Sequence, residues 1–114
     1  MKSYYTMPKS PTKQSKYLTF LTAYLSLTST QSSQVASIMA QAATSADSIH
    51  QSVKTARQNL ALAVKYNDTS AISQAAAAIG NLAGQRHTIG ANANAALYQI
   101  LTAEQQQMLN QFRG

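Results

Sequence analysis

The chain has 114 residues, a formal net charge of +6 and no cysteine. This length is enough for one domain with one modest core. The lack of cysteine excludes disulfide bonds, thiolate metal sites and a cysteine nucleophile. The three acids, Asp47, Asp68 and Glu104, are too scattered along the sequence to suggest the paired ionisable groups of a general acid–base site. We therefore predict no enzyme activity and no catalytic residue.

Most of the positive charge lies near the N-terminus, where four lysines occur in the first sixteen residues. A short basic tail is more often solvated than specific, so we predict no nucleic-acid partner. Pro8 and Pro11 lie in this region without a helical period, and we interpret residues 1–11 as a flexible basic tail and residues 12–114 as a single helical domain. A structural protein that touches membranes or nucleic acid through this tail is an alternative of a different class. No apolar run approaches the roughly 20 residues of a membrane span, and we predict none.

Two helices are predicted in the first half of the domain. Apolar residues between Thr12 and Leu25 recur at i, i+3, i+4 and i+7, which indicates a short amphipathic helix. After Thr28 the pattern is longer, with steps of three and four that favour a long helix packed against another at a shallow angle. The positions of this first seam are Val35, Met39, Ala42, Ala46, Ile49, Val53, Ala56, Leu60 and Val64.

The second half begins with a predicted turn at Asn67 and Asp68, where Asp68 can cap the next helix. A second seam follows at Ile72, Ala75, Ile79, Leu82, Arg86, Ile89, Ala93, Ala96 and Ile100. Gly80, Gly84 and Gly90 lie inside this helix, where each costs about 1 kcal/mol relative to alanine. We expect the close approach of a neighbouring helix to explain them. A last amphipathic helix has its apolar side at Met108, Leu109 and Phe112.

These elements predict an all-α fold, a long antiparallel helical hairpin with a short helix at each end. Alanine-rich seams make a thin core, because burying alanine gains little area at roughly 25 cal/mol per Å². Self-association would cover more of each long helix. We therefore expect a homodimer.

A five-residue unit, Leu-Thr-x-x-Gln, occurs twice, as Leu27-Thr28-Ser29-Thr30-Gln31 and as Leu101-Thr102-Ala103-Glu104-Gln105. In each copy the threonine can cap a helix, and the glutamine three residues later can reach back to the backbone N–H of the threonine. The preceding leucine can pack the entering chain against the first turn. One copy alone would be a common capping box, whereas two copies with the same leucine are more informative.

The two units, at this separation in an all-helical chain, resemble the Spy/CpxP family of periplasmic stress proteins, also called the LTxxQ family. The likeness covers roughly residues 20–113. It implies a cradle-shaped homodimer in the periplasm, with its signal peptide already removed from this sequence. It also implies an ATP-independent chaperone that binds unfolded or partly folded client proteins on a concave helical surface. A metal-binding, metal-stress or envelope-stress sensing module of the same family is the alternative.

The candidate residues for client binding combine positive charge with apolar neighbours. They are Lys54, Arg57, Lys65 and Arg86, with Ile49, Val53 and Leu60. Arg86 is the most informative of these, because it occupies a seam position where an aliphatic residue is expected. The alternative for Arg86 is a packed stem with its guanidinium in water. For the apolar residues the alternative is the hydrophobic core, which their seam positions favour over a contact surface.

A metal site is the less favoured possibility. In a hairpin that turns at Asn67, residues whose numbers sum to about 135 lie at the same height, which places His50 and His87 within about half a turn of each other. Asp47 lies one turn before His50 on the same side of its helix. Together Asp47, His50 and His87 offer two nitrogens and one oxygen, a set that suits zinc or another transition metal. Alternatively both histidines are solvated, and the chain then needs no cofactor.

Overall fold

The computed structural model describes residues 11–113, and side chains within residues 14–112. This part of the chain forms four helices and no strand. They are α1 (Pro11–Leu25), α2 (Ser29–Lys65), α3 (Thr69–Ile100) and α4 (Ala103–Arg113). The long helices α2 and α3 pack against each other as an antiparallel hairpin, and the molecule measures 57 × 24 × 20 Å. The predicted all-α hairpin is confirmed, whereas the predicted tail lies outside the described residues except for Pro11, where α1 begins.

The hairpin turns where the sequence predicts. Asn67 has a φ of 53°, a left-handed conformation that asparagine tolerates better than most residues. The backbone N–H of Asp68 donates to the carbonyl of Ala63 at 2.9 Å. The Asp68 carboxylate then accepts from the backbone N–H of Ala71 at 3.1 Å and so caps α3. The turn therefore satisfies backbone groups of both helices within a few residues.

The apolar core lies at the end of the hairpin away from this turn. Here α1 and α4 pack beside the adjoining ends of α2 and α3, and we call this region, residues 11–42 and 90–113, the knob. Its buried apolar residues are Leu21, Leu25, Leu27, Val35, Met39, Ala93, Leu97, Leu101 and Leu109. Because four helices surround them, large aliphatic side chains such as Leu21, Leu97 and Leu109 are fully buried.

The rest of the hairpin, residues 43–89, consists of α2 and α3 alone, and we call it the stalk. Its buried residues are three alanines, Ala56, Ala63 and Ala75. The larger seam residues, including Ile49 and Val53, are half-buried. Near the turn Leu62, Val64 and Tyr66 are exposed, with 55%, 61% and 71% of their surface in solvent. A pair of helices covers only one side of each, so the stalk keeps much apolar surface in contact with water.

The predicted seams need two corrections of register. Val64 is exposed rather than packed, and Ala63 takes its place at the interface. Near the end of α3, Asn94 and Leu97 are buried, whereas the predicted Ala96 is half-buried. A helix with 3.6 residues per turn drifts away from a strict 3.5-residue pattern, so the facing position moves by one residue over several turns.

The explanation predicted for the glycines is wrong at two of the three positions. Gly80 and Gly84 are exposed, and a Cβ added at either would meet no neighbouring atom within 4 Å. They lie on a side of α3 that faces away from α2, so no close backbone approach requires them. Gly90 is buried in the knob. Its carbonyl accepts from the Asn94 amide at 2.9 Å.

Candidate functional site

Both Leu-Thr-x-x-Gln units form complete capping boxes. In the first, the backbone N–H of Gln31 donates to the Thr28 hydroxyl at 3.1 Å, and the backbone N–H of Thr28 donates to Gln31 Oε1 at 3.0 Å. In the second, the corresponding distances between Gln105 and Thr102 are 3.2 and 2.9 Å. Each box satisfies two backbone donors at the start of a helix that would otherwise lack partners. The predicted capping is confirmed at α2 and α4.

The two boxes also bind each other through their glutamine side chains. Gln31 Nε2 donates to Gln105 Oε1 at 2.9 Å, and Gln105 Nε2 donates to Gln31 Oε1 at 3.2 Å. The same amide nitrogens reach two backbone carbonyls, that of Ile100 from Gln31 and that of Leu25 from Gln105, both at 3.0 Å. The paired glutamines therefore fasten the ends of α1 and α3 to the starts of α2 and α4. We call this arrangement the glutamine pair.

Helix α1 is attached to α4 by a further set of contacts. The Tyr24 hydroxyl donates to the carbonyl of Met108 at 3.1 Å. The rings of Phe20, Tyr24 and Phe112 lie with their centroids 4.9–5.7 Å apart, although Phe20 and Phe112 remain 39% and 50% exposed. The apolar side of α1 is thus mostly used for packing within the knob.

The stalk contains a shallow cavity of about 430 Å³ along one side of α2. We call it the stalk groove. Its lining residues are Ala43, Ala46, Asp47, Ile49, His50, Val53 and Arg57 from α2, with Arg86 from α3. The residues from α2 recur every three or four positions, which places them on one helical face. The groove has an aliphatic floor and a charged rim that carries one acid and two arginines.

Some of the predicted client-binding residues line the groove, and others lie outside it. Ile49, Val53, Arg57 and Arg86 line it, whereas Lys54, Lys65 and Leu60 lie elsewhere on the stalk. All four of the predicted cations are exposed. Lys65 also lies over the ring of Tyr66, with Nζ 5.6 Å from the ring centroid. The predicted seam ends at Val64 and makes no prediction for Tyr66, the exposed residue that follows the last residue of α2.

The structure does not assemble the predicted metal ligands. Asp47 and His50 line the stalk groove, but His87 does not. His87 directly follows Arg86, and successive residues of a helix point about 100° apart, so the two side chains leave α3 in different directions. Within residues 11–113, no three His, Asp or Glu side chains form a group suited to hold a metal ion.

Within the same residues, no helix has both the length and the apolar character that crossing a membrane requires. Comparison with protein families matches residues 13–113 to the LTXXQ motif family. Comparisons with curated proteins and with solved structures give no match. The family is helical and non-enzymatic, and it is associated with periplasmic proteins. The match covers nearly the whole chain and includes both capping boxes, so this protein belongs to the LTXXQ motif family, the family of Spy- and CpxP-type proteins.

Proposed function

We propose that the protein is a periplasmic, ATP-independent chaperone that holds unfolded or partly folded client proteins on its stalk. The observation that carries the proposal is the exposure of apolar and cationic side chains on the same two-helix surface. The exposed Arg57 lines the stalk groove with the half-buried Ile49 and Val53. The exposed Lys54 and the half-buried Leu60 lie elsewhere on the stalk. Family membership supports the periplasmic assignment at the level of the family.

Such a surface suits transient binding to many sequences. Apolar segments of a client gain free energy when they leave water against the aliphatic side chains, and this gain needs no specific geometry. The stalk carries four cations against two acids, so its field attracts acidic clients and raises the rate of encounter. Because the contact is shallow, a client can dissociate without the hydrolysis of a nucleotide.

The proposal includes a homodimer. The stalk buries only alanines at its seam, and a second copy packed along it would cover part of the half-buried aliphatic surface. The rest of this surface, including the stalk groove, would remain open to clients. Light scattering coupled to size-exclusion chromatography measures this directly, and a mass of about 12 kDa at micromolar concentration, the mass of one chain, would contradict the dimer.

Suppression of client aggregation tests the chaperone function. The protein should reduce light scattering from a denatured client without nucleotide. Reversal of the charge at Lys54, Arg57 and Arg86 to glutamate should weaken this suppression several-fold, because it removes both the attraction to acidic clients and the cations beside the apolar surface.

Reversal of Lys2 and Lys9 in the tail together with Lys13 in the first turn of α1 is the matched control, here called the tail variant, since it changes the net charge equally but leaves the stalk intact. This control should suppress aggregation as well as the unaltered protein. Equal suppression by the stalk variant would show that these three positive charges do not contribute to client binding. If the unaltered protein does not suppress aggregation, the proposed chaperone function is wrong. Loss confined to the tail variant would instead favour a protein that acts through its basic tail.

Metal titration separates the chaperone from a metal-responsive member of the family. We expect no tight stoichiometric binding of zinc, nickel or copper in a calorimetric titration, because His87 lies outside the groove that holds Asp47 and His50. Tight binding that disappears when both histidines are replaced by alanine would favour the metal-responsive function.

A further inference from the structure

The charges around the stalk groove are unevenly distributed along its length. Asp47 lies towards the knob, whereas Arg57 lies towards the turn of the hairpin. Ten residues of helix separate them, which corresponds to about 15 Å along α2. Between them, on the groove floor, lie the aliphatic side chains of Ile49 and Val53. The groove is therefore an apolar strip with an acid near one end and an arginine at the other.

Arg86 lies nearer than Arg57 to the acid along the axis of the hairpin. In this antiparallel hairpin Arg86 of α3 lies at about the height of Asp47 and His50 of α2, roughly eight residues from Arg57 along the axis. Its positive charge therefore offsets the negative charge of Asp47 more than that of Arg57 does. The charge of Arg57 has no acid at its own height within the lining of the groove. Lys54, one turn earlier on α2 but outside the lining, adds to the positive potential at this end.

We propose that the stalk groove binds a small amphipathic monocarboxylate, such as a medium-chain fatty acid. The apolar chain lies on Ile49 and Val53, and the carboxylate meets the guanidinium of Arg57. Arginine suits this role because its planar fork of N–H donors matches the two oxygens of a carboxylate. The volume of about 430 Å³ lies in the range of small-ligand sites, about 300–1,000 Å³. The proposal does not depend on the chaperone function, since it concerns a small ligand with one charge at one end.

Calorimetric titration of the full-length protein with decanoate and decanol tests the ligand class. The two ligands have the same apolar chain, so their difference reports the carboxylate. Decanoate should bind saturably, with one molecule per chain and several-fold more tightly than decanol. Equal affinities, or no saturable binding of decanoate at millimolar concentration, would overturn the proposal.

Three charge variants test where the carboxylate lies. Arg57→Gln should weaken decanoate binding about two- to fivefold, the effect of one solvent-exposed ion pair. Lys65→Gln, which removes an equal charge outside the groove, should leave the affinity unchanged. Asp47→Asn should change it less than Arg57→Gln does, because Asp47 lies at the other end. A larger effect of Asp47→Asn, or none from Arg57→Gln, would contradict the proposed orientation.

The failure of this proposal can be told apart from the failure of the chaperone function. The aggregation assay is performed without fatty acid, and the decanoate titration without a client protein. Suppressed aggregation together with absent decanoate binding would overturn only the ligand proposal. Decanoate binding without suppressed aggregation would overturn only the chaperone function.

Discussion

The knob and the stalk use the same two long helices but differ in what surrounds them. In the knob, α1 and α4 complete an enclosure in which leucines such as Leu21, Leu97 and Leu109 have no measurable exposure. In the stalk no further helix is present within the described residues, and the side chains that become buried are alanines. The number of neighbouring helices, rather than the hydrophobicity of the sequence, therefore decides which region stabilises the fold and which remains available for binding.

The largest expected difference between the regions is the cost of removing a leucine. Leu97→Ala in the knob should lower the free energy of unfolding by about 3 kcal/mol, because it leaves a cavity in an enclosed core. Leu62→Ala on the stalk should cost less than about 0.5 kcal/mol, since Leu62 is already 55% exposed. Urea denaturation followed by circular dichroism measures both. Similar losses in the two variants would show that the stalk contributes as much to stability as the knob.

The next largest expected effect is the loss of stability when the glutamine pair is broken. Gln105→Ala should lower the free energy of unfolding by about 2 kcal/mol. It removes one partner of Gln31 and leaves the carbonyl of Leu25 without its side-chain donor. Gln31→Ala should cost a similar amount, as it disrupts the same set of bonds. The double variant should cost clearly less than the two single losses combined, because each single change already breaks the pair. Additive losses in the same denaturation experiment would mean that the two boxes act independently.

The smallest effect concerns the glycines of the stalk. Gly80→Ala should raise the free energy of unfolding by up to about 1 kcal/mol, because alanine favours the helix and its Cβ meets no neighbouring atom. The matched change in the knob, Gly90→Ala, should not stabilise, since Gly90 is buried. Thermal denaturation and hydrogen exchange along α3 measure the two effects. Destabilisation by Gly80→Ala would point to a contact made by that face of the stalk, such as one with a second copy of the chain.

The sequence predicts most of the fold because its signals are local. The caps at Thr28, Asp68 and Thr102 and the turn at Asn67 each depend on residues within one helical turn, and the structure confirms them. The bonds between Gln31 and Gln105 join residues 74 positions apart, so no local pattern could reveal them.

The positions whose burial was wrongly predicted have a common cause. Their burial depends on the exact rotation of each helix about its own axis. The burial of Asn94 in place of a neighbouring seam position and the exposure of Val64 depend on how the seam drifts over many turns. The same rotation decides that Arg86 lines the stalk groove while His87 does not. Periodicity therefore locates the helical face that carries the candidate site to within about one residue, which is enough to find the groove but too coarse to choose between adjacent side chains.

The bonding of the glutamine pair explains why an amide stands at both positions. A helix start of this kind accepts glutamate as readily as glutamine, since either offers an oxygen to the capped N–H. Here each side chain must also donate, to the other glutamine and to a backbone carbonyl. An ionised carboxylate can only accept, and two of them face to face would repel each other. The chemical identity of one motif is thus dictated by the other, and a change to glutamate at either position would preserve the cap while removing the amide donor that joins the helix ends.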